Sequence, residues 1–596
     1  MYRSTCRALK LRAFTAASAA TAPEYFAGKL PIVGHIPVIA RNAKQNIPFG
    51  LTAKQLFDED EEKRETARLA LPGTGDCVVA TRSPDVVKKL LQYQMRTGVA
   101  RRENGPMFDL FFEELETGCE EFSPIGPGTL GSHGERWQRL RSAAAPVLMK
   151  PSVASSLAKQ FAPIARDFVH LVKSQRDDEL PGAKDVSAYM HGIDERTGEL
   201  GVVFDLNRLL MDVALECIFY LITDLRLGGL PRHPGQTETW CSSTRTDRGD
   251  ELLTLQSRQE FLDSVMLFFG GLSESFRMAP LLPLHRLLRR LCGRGVPRID
   301  RFIRNGRKMM HLAKEVVHAS LRVRPPRTLA SKEGSVRDML MMHPTLSQED
   351  GLAVLLELVV AGSDTTSTVM VWSLFHLATK SDQFELVRDE ARTLYETTRA
   401  QGGSDREIDE RFAQRLLKEA PRIRAVMEES MRLTPAIDTA TRVMQEDLSV
   451  SSEAPSERGC PVTGRFADPA NTGKVIPKGA LLMPLLRAMG HDKRVFGADA
   501  DEFRHERWLK TKGDKLAFNS RGTPVRFFGF GMRQCIGRRI ATTEVQVVLG
   551  FLLVELEEIK LLHEEGVAYD PKIAEGVVHR PLHDVRLAMR FRCRLP

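Results

Sequence analysis

Apolar residues recur at helical spacing along most of the chain, and this pattern predicts a mainly helical protein. The predicted helices are 83–95, 134–149, 154–175, 204–225, 258–275, 297–322, 349–379, 382–398, 408–433 and 537–557. Short strands are predicted in "DCVVATR" after Gly75, in "GALLMPLL" after "IPK", and in "VRLAMRFRC" near the end of the chain. Polar stretches rich in helix breakers are predicted to be surface insertions: 176–202, 226–250, 323–336, 399–407 and 451–474. We find no internal repeat and no clear linker, so we expect one large domain, mainly α with small β-sheets.

The longest apolar stretch, residues 352–378, is long enough to span a membrane. It contains Glu357 and Asp364, and a carboxylate near the centre of a membrane helix costs roughly 2.5–3.5 kcal/mol. A Ser/Thr cluster also lies at its middle. The stretch therefore predicts a long helix through the core of a soluble domain.

Charge excludes nucleic acid as the general partner. The 596 residues include 85 Lys and Arg against 77 Asp and Glu, so the formal net charge is +8. Four of these charges, Arg3, Arg7, Lys10 and Arg12, lie in an N-terminal stretch that has no acid before Glu24. The remaining excess is too mild for nucleic-acid binding.

The N-terminal stretch has the composition of a transit peptide. It is basic and rich in Ser, Thr and Ala, and it can form a positive amphipathic helix. We predict a mitochondrial transit peptide over residues 1–25. A disordered basic tail and a plastid address are the alternatives.

The nine cysteines are odd in number and form no CxxC pair, which indicates reduced thiols in an intracellular compartment. Cys535 lies in "RFFGFGMRQCIGRRIA", a glycine-rich loop that runs into a predicted helix. Its neighbours include three glycines and three arginines: Gly529, Gly531, Gly537, Arg533, Arg538 and Arg539. A helix N-terminus and cations favour the thiolate, which is the metal-binding form, and glycines let backbone N–H groups approach the sulfur. This pattern predicts a thiolate ligand.

Cys535 has no second cysteine nearby, since Cys460 and Cys593 are the nearest. A site with one protein thiolate needs other donors, and the four nitrogens of haem supply them. A structural cysteine in a glycine-rich turn is the alternative. The pattern Phe528-x-x-Gly531-x-Arg533-x-Cys535-x-Gly537 resembles the haem-binding signature of the cytochrome P-450 family in full. The resemblance implies the cytochrome P-450 fold, haem b (iron protoporphyrin IX) with an axial thiolate from Cys535, and monooxygenase chemistry.

The segment "AGSDTTS", residues 361–367, places small and polar residues inside the apolar helix. Hydroxyls there can bond back to carbonyls one turn earlier and bend or open the helix. An acid beside an alcohol is a candidate proton-delivery pair. The segment resembles the family's oxygen-activation motif, which implies catalytic roles for Asp364 and Thr365.

Two further patterns resemble the family. "EESMRLTP" contains Glu429 and Arg432 at i,i+3 spacing, where side chains can pair, and it resembles the E-x-x-R helix. In the family this pair joins a downstream arginine, here Arg507 in "FRHERW", although His505 stands where the family has proline.

"GERWQRLR" provides Trp137 and Arg141 one helical turn apart, and an indole N–H and a guanidinium suit a carboxylate. The resemblance implies that both bind haem propionates together with Arg442 and Arg533.

Three features resemble the mitochondrial branch of the family: "CIGRRIA", "LECIFYLITDLRLGGL" and the N-terminus. The branch implies electrons from an acidic ferredoxin, through a ferredoxin reductase, and a matrix-side location at the inner membrane. Arg424 matches a basic docking position, whereas Glu428 reverses the charge of a second one.

Between Arg286 and Arg327 the chain has 13 Lys and Arg against two acids, preceded by "MAPLLPLHRLLRR". This run predicts either a peripheral contact with anionic lipid or a solvated helix face. No nucleic-acid motif accompanies it.

The expected activity is insertion of one atom of dioxygen into a lipophilic, sterol-like substrate. The chain contains no P-loop and no complete GxGxxG, so the electrons are expected from another protein. The alternatives are a haem-thiolate peroxide isomerase or peroxygenase, and a non-enzymatic haem sensor. The acid–alcohol pair argues against both.

Overall fold

The computed structural model describes residues 22–23, 25, 41–42, 49–59, 65–69, 78–97, 128–174, 190–193, 202–223, 226, 230, 260, 263–264, 267, 281–323, 336–439, 441–450, 473–509, 527–529, 531–561, 572–573, 578–581 and 585–592. The N-terminal segment 1–25 and the insertions 176–202, 226–250, 323–336 and 451–474 lie mostly outside these residues. The predicted helix 258–275 does so too.

The described part is dominated by helices. They are α1 (Phe49–Asp58), α2 (Pro84–Thr97), α3 (Gly134–Leu148), α4 (Pro151–Ser174), α5 (Leu206–Thr223), α6 (Leu282–Cys292), α7 (Pro297–Val323), α8 (Val336–Met341), α9 (Gln348–Ala378), α10 (Ser381–Arg399), α11 (Asp405–Glu419), α12 (Pro421–Leu433), α13 (Leu486–Gly490), α14 (Lys493–Phe496) and α15 (Arg538–Glu555), with 3-10 helices at His505–Trp508 and Gly531–Arg533.

Three small sheets accompany the helices in the described residues. Their strands are β1 (Thr66–Leu69), β2 (Val78–Thr81), β3 (Met190–Ile193), β4 (Val202–Asp205), β5 (Arg442–Val443), β6 (Leu448–Ser449), β7 (Val475–Ile476), β8 (Leu481–Pro484), β9 (Leu556–Leu561) and β10 (Arg586–Phe591). One sheet has the order β1-β2-β8-β5, and its β2–β8 pair is parallel. The second has the order β3-β4-β10-β9, and β6 pairs with β7. The expectation of a mainly α protein with small sheets is confirmed.

Helix α9 is the centre of the core. It packs against α5, α12 and α15, and α15 packs against α4. Ser347 caps its N-terminus in a capping box with Asp350, which satisfies backbone N–H groups that the helix leaves open. Of the described helices, α9 is long and apolar enough to cross a membrane, with a mean hydropathy of 1.4 over its most apolar 18 residues. However, 82% of that 18-residue stretch is buried within the protein. The core-helix interpretation is therefore favoured.

The sequence pattern located most helices but misjudged several boundaries. The predicted helix 408–433 is two helices, because Pro421 has no N–H to continue α11 and instead begins α12 at its first position. The first residues of the predicted helix 204–225 belong to strand β4, and the last residues of the predicted helix 537–557 belong to strand β9. Within the predicted insertion 399–407, residues 400–404 form a turn between α10 and α11, with Gly402 and Gly403 at positive φ, and the remaining residues belong to the two helices.

Candidate active site

The loop before α15 positions Cys535. The backbone N–H of Cys535 donates to the carbonyl of Phe528 at 2.7 Å, which closes the loop. Gly529 and Gly531 have φ of +70° and +65°, a region that side chains disfavour. A Cβ on Gly531 would also collide with the side chain of Gln94 on α2. Two of the three glycines that the sequence pattern singled out, Gly529 and Gly531, are therefore required by the backbone.

The thiol of Cys535 is exposed and is not in a disulfide. A Cβ on Gly537 would lie 3.8 Å from its Sγ, so glycine keeps that side of the sulfur open. Arg141 on α3 lies near enough for the two charges to interact: burial lowers the pKa of Arg141, and the charge of Cys535 opposes this. The structure thus brings together two of the predicted site residues.

Trp137 and Arg533 form a second pair. The guanidinium carbon of Arg533 lies 4.0 Å from the centroid of the buried Trp137 ring, a cation–π contact. Arg533 also donates to the carbonyls of Thr129 and Ser132, at 3.4 and 3.0 Å. The loop before α3 is therefore held against the Cys535 loop.

Arg442 and Phe528 complete the predicted cofactor residues. Arg442 is buried on β5, where it is paired with Leu482 of β8, and its Nη1 donates to the carbonyl of Thr441 at 2.8 Å. Phe528 packs against the main core, and the guanidinium of Arg538 lies 5.7 Å from its ring. These contacts do not test the predicted haem-binding roles of Arg442 and Phe528, which stay predictions.

Helix α9 carries the acid–alcohol motif without a break. Thr365 Oγ1 donates to the carbonyl of Ala361 at 2.7 Å, and Ser363 Oγ donates to that of Val359 at 2.9 Å. The predicted hydrogen bonds from hydroxyls to carbonyls one turn earlier are confirmed. The helix does not open there, since it continues without a break from Gln348 to Ala378. Ala361 is exposed and Thr365 is half-buried, whereas Ser363 is fully buried. This turn of α9 is therefore accessible on one side.

Asp364 has a partner that the sequence reasoning missed. Its carboxylate is 1% exposed, and its Oδ1 lies 3.0 Å from Nε of Arg580. Burial raises the pKa of Asp364 to about 6, and the charge of Arg580 opposes this rise. Arg580 is 216 positions away in the chain, so no local spacing could have indicated the pair.

The E-x-x-R residues form a buried, bidentate ion pair. Arg432 Nε and Nη2 donate to the two carboxylate oxygens of Glu429 at 2.7 and 2.8 Å. The remaining Arg432 donors bind backbone carbonyls of Gly490, Ala500 and Glu502. These backbone contacts fix α12 to the end of α13 and to the segment that follows α14.

The predicted third member joins this pair. Arg507 Nε donates to Glu429 Oε1 at 3.2 Å, and Trp508 Nε1 donates to Glu429 Oε2 at 2.9 Å. His505 does not prevent the local 3-10 helix from forming. Its buried ring instead hydrogen-bonds Gln383 of α10 and lies 3.3 Å from an Arg422 nitrogen.

Glu357, seven residues before Asp364, is a second buried carboxylate of α9. Its oxygens accept from the backbone N–H groups of Leu130 and Gly131 at 2.6 and 3.0 Å. Burial raises its pKa to about 6, although these bonds oppose the rise. It anchors the same loop that Arg533 holds, a role that the sequence did not indicate.

The predicted docking positions Arg424 and Glu428 lie on α12, near Arg538 and Arg539 of α15. Arg424 Nε is 4.0 Å from Glu428 Oε1, and the charge of Arg538 also acts on Glu428. Only 14% of the Glu428 side chain is exposed. Glu428 therefore lowers the positive charge of the surface around Arg424 and Arg539 mainly through its buried pair with Arg424. Its own side chain offers little surface to a docking partner. Arg539 is exposed.

These residues fit a haem. An exposed thiol beside a glycine, an arginine near enough to act on its charge and an accessible turn of α9 suit an iron porphyrin with one protein ligand.

Comparison with known proteins decides the family. The family model described as "Cytochrome P450" matches residues 257–453 and 467–572, just over half of the chain. The chain belongs to the cytochrome P450 family. The predicted fold and the monooxygenase assignment are thereby confirmed, and members of this family carry haem with a cysteine thiolate as axial ligand.

This cytochrome P450 is similar to mitochondrial members of the family. It is 24% identical over 433 residues to "Sterol 26-hydroxylase, mitochondrial" of Rattus norvegicus, covering 72% of this chain and 67% of that protein. It is 25% identical over 434 residues to "Cholesterol side-chain cleavage enzyme, mitochondrial" of Oncorhynchus mykiss, covering 73% and 67%. It is also 25% identical over 433 residues to "25-hydroxyvitamin D-1 alpha hydroxylase, mitochondrial" of Mus musculus, covering 72% and 69%. The resemblance to the mitochondrial branch is confirmed.

Proposed function

We propose that this cytochrome P450 monooxygenase inserts one atom of dioxygen into a C–H bond of a lipophilic, sterol-like substrate. The balanced reaction takes substrate, dioxygen, two electrons and two protons to hydroxylated product and water. The observation that carries the proposal is the acid–alcohol motif of α9, where Asp364 is buried beside the accessible Thr365. A peroxide isomerase and a haem sensor consume no such protons, so neither needs this pair. The names of the three relatives support a sterol-like substrate.

Haem, when bound, supplies the iron at which dioxygen is reduced, and Cys535 is the proposed axial ligand. The proposed partners of the haem carboxylates are Trp137, Arg141, Arg442 and Arg533. Their donors come from α3, β5 and the loop before α15, so cofactor binding would join elements that are distant in sequence. Indole and guanidinium N–H groups are donors only, which suits an anion.

The proposed electron donor is an acidic ferredoxin that receives electrons from a ferredoxin reductase. Arg424, Arg538 and the exposed Arg539 give the surface near Cys535 a positive charge, and Glu428 neutralises part of it from inside. Complementary charge raises the association rate of such partners and is screened by salt. The Arg424–Glu428 pair makes Arg539 the better target for testing this surface.

The test is oxygen uptake by the holoenzyme with NADPH, reductase, ferredoxin and a panel of sterols. We expect uptake only when all four are present, and one atom of 18O from labelled dioxygen in each product molecule. Arg539→Glu should raise the KM for ferredoxin, whereas Arg590→Glu, at an exposed arginine on β10, should not. Product formed from peroxide alone would establish a peroxygenase, and specific sterol binding without turnover under any donor would favour a sensor.

We further propose a mitochondrial, matrix-side enzyme in which residues 1–25 form a removable transit peptide. Residues 26–596 would then be the single haem domain, with 176–202, 226–250, 323–336 and 451–474 as surface insertions. The mitochondrial relatives and the acid-free N-terminus support this division.

The proposed contact with the inner membrane is α6. Leu284, Leu287 and Leu291 are 48, 51 and 75% exposed, and their i, i+3, i+7 spacing places them on one helical face. Arg290 and Arg294 are exposed nearby. Apolar side chains flanked by cations suit a surface of anionic lipid.

The holoenzyme is therefore expected to float with cardiolipin-rich vesicles and much less with phosphatidylcholine vesicles. Leu287→Asp should reduce flotation severalfold, because a charge would enter the apolar face. Leu386→Asp, at an exposed leucine on α10, is the matched control. Equal flotation of both variants would show that α6 is a solvated helix instead.

A further inference from the structure

The pairing of Asp364 with Arg580 places a cation at the centre of the acid–alcohol motif. Arg580 lies in a short segment near the C-terminus, residues 578–581, and its side chain is 24% exposed. The Arg580 side chain is therefore partly accessible while its Nε lies 3.0 Å from the buried carboxylate. It forms an electrostatic link between the protein surface and the middle of α9.

The segment that carries Arg580 is fixed to the core by its backbone. Trp372 Nε1, on α9, donates to the carbonyl of His579 at 2.9 Å. The N–H of His579 donates to the carbonyl of Ala436 at 2.9 Å. Trp372 is eight residues beyond Asp364, about 12 Å along the helix axis. Helix α9 thus holds the segment at two points, by a hydrogen bond and by the ion pair.

Neighbouring hydroxyls do not satisfy the Asp364 carboxylate. Ser363 and Thr365 donate to carbonyls of their own helix, and Ser367 donates to the backbone carbonyl of Asp364 at 3.0 Å. Among the described residues, Oδ1 accepts no hydrogen bond of good geometry, although Arg580 is close. Charge, more than a directed bond, holds this carboxylate, and it keeps acceptor capacity for a water.

We propose that Arg580 is a positioning residue for Asp364: its guanidinium keeps the buried carboxylate ionised and oriented, and so sets the pH range in which Asp364 can transfer protons. The inference rests on the proposed function of Asp364. Among the described residues, the ion pair with Asp364 is the contact that the Arg580 side chain makes, so we expect Arg580 to act on turnover through Asp364.

The electrostatics give a test that does not depend on turnover. The pKa of Asp364 is raised by burial to about 6 from its ordinary 3.8, with Arg580 opposing the rise. A carboxyl with a raised folded pKa holds its proton more tightly when folded, so stability falls as pH rises through this interval. The full loss of folding stability is present at pH values above the pKa of Asp364 in the folded protein. Without Arg580 the pKa of Asp364 should rise by about a further 1–3 units. The loss of folding stability at alkaline pH should then be larger.

Thermal midpoints of the holoenzyme at pH 5 and pH 8 measure this effect. Arg580→Met should lower the midpoint by several degrees more at pH 8 than at pH 5. In an Asp364→Asn background the same substitution should have nearly equal effects at both pH values. Arg590→Met, which removes an exposed pair with Glu558, should show no such pH dependence. An equal loss at both pH values in both backgrounds would overturn the inference.

Turnover separates this inference from the proposed function. Arg580→Met should move the acidic limb of the pH–rate profile upward by about 1–3 units, and Arg580→Lys should restore it by restoring the charge. If Asp364→Asn leaves turnover and the solvent isotope effect unchanged, the proposed role of Asp364 fails, whatever the stability data show. If Asp364→Asn slows turnover but Arg580→Met leaves the pH profile in place, the role proposed for Arg580 alone is wrong.

Discussion

Replacing Cys535 with serine is expected to abolish the red-shifted Soret band that thiolate-ligated haem shows when reduced and bound to carbon monoxide. A serine hydroxyl stays protonated under these conditions and is a poor donor to iron, whereas a thiol near a helix N-terminus and arginines ionises readily. Arg141 is the cation that the structure places by Cys535. The measurement is the reduced carbon-monoxide difference spectrum, with haem content determined in parallel.

Cys292→Ser is the matched control for this substitution. Cys292 is also an exposed cysteine outside any disulfide, but it lies at the end of α6, far from the glycine-rich loop in sequence. It should keep the full band. A band that survives in Cys535→Ser would mean that another residue binds the iron, and the assignment of the loop would be wrong.

Much of the candidate site could be predicted because its residues lie in short local patterns. The spacing of Glu429 and Arg432 on one helix face is enough to predict their pairing, and the structure confirms it with bidentate geometry. The Cys535 loop was predictable for the same reason, since Gly529 and Gly531 are required by local backbone angles.

The missed contacts all join segments that are distant in the chain. Arg580 reaches Asp364, and Glu357 accepts from a loop more than 220 residues earlier. Periodicity reports which face of an element is buried, but it does not report which element covers that face. In the sequence, Glu357 indicated only that the helix is not a membrane span, and Asp364 indicated a catalytic role but not its ion-pair partner. Helix boundaries failed at Pro421, where a continuous apolar pattern concealed a backbone break.

The geometry of Thr365 defines what its side chain can do. Its Oγ1 donates to the carbonyl of Ala361, so its hydrogen is engaged within α9, while the half-buried side chain keeps its capacity to accept a hydrogen bond. The hydroxyl is therefore suited to accept a hydrogen bond from a water and hold it in place. Asp364, one position earlier, is the carboxyl group that could take up protons and pass them to such a water. General acid help of this kind is worth about 10²–10⁴-fold in rate.

Thr365→Ala is accordingly expected to retain haem, substrate and oxygen uptake but to lose coupling. Two electrons and two protons that miss the productive path reduce dioxygen to hydrogen peroxide, so peroxide per NADPH should rise severalfold and hydroxylated product should fall. Thr365→Ser, which keeps the hydroxyl, should restore coupling. Ser363→Ala removes the same kind of backbone bond from a fully buried position and should change coupling little. If Thr365→Ala turns over with full coupling, protons reach dioxygen by another route, such as a hydroxyl of the substrate, and neither Thr365 nor the water it holds is part of catalysis.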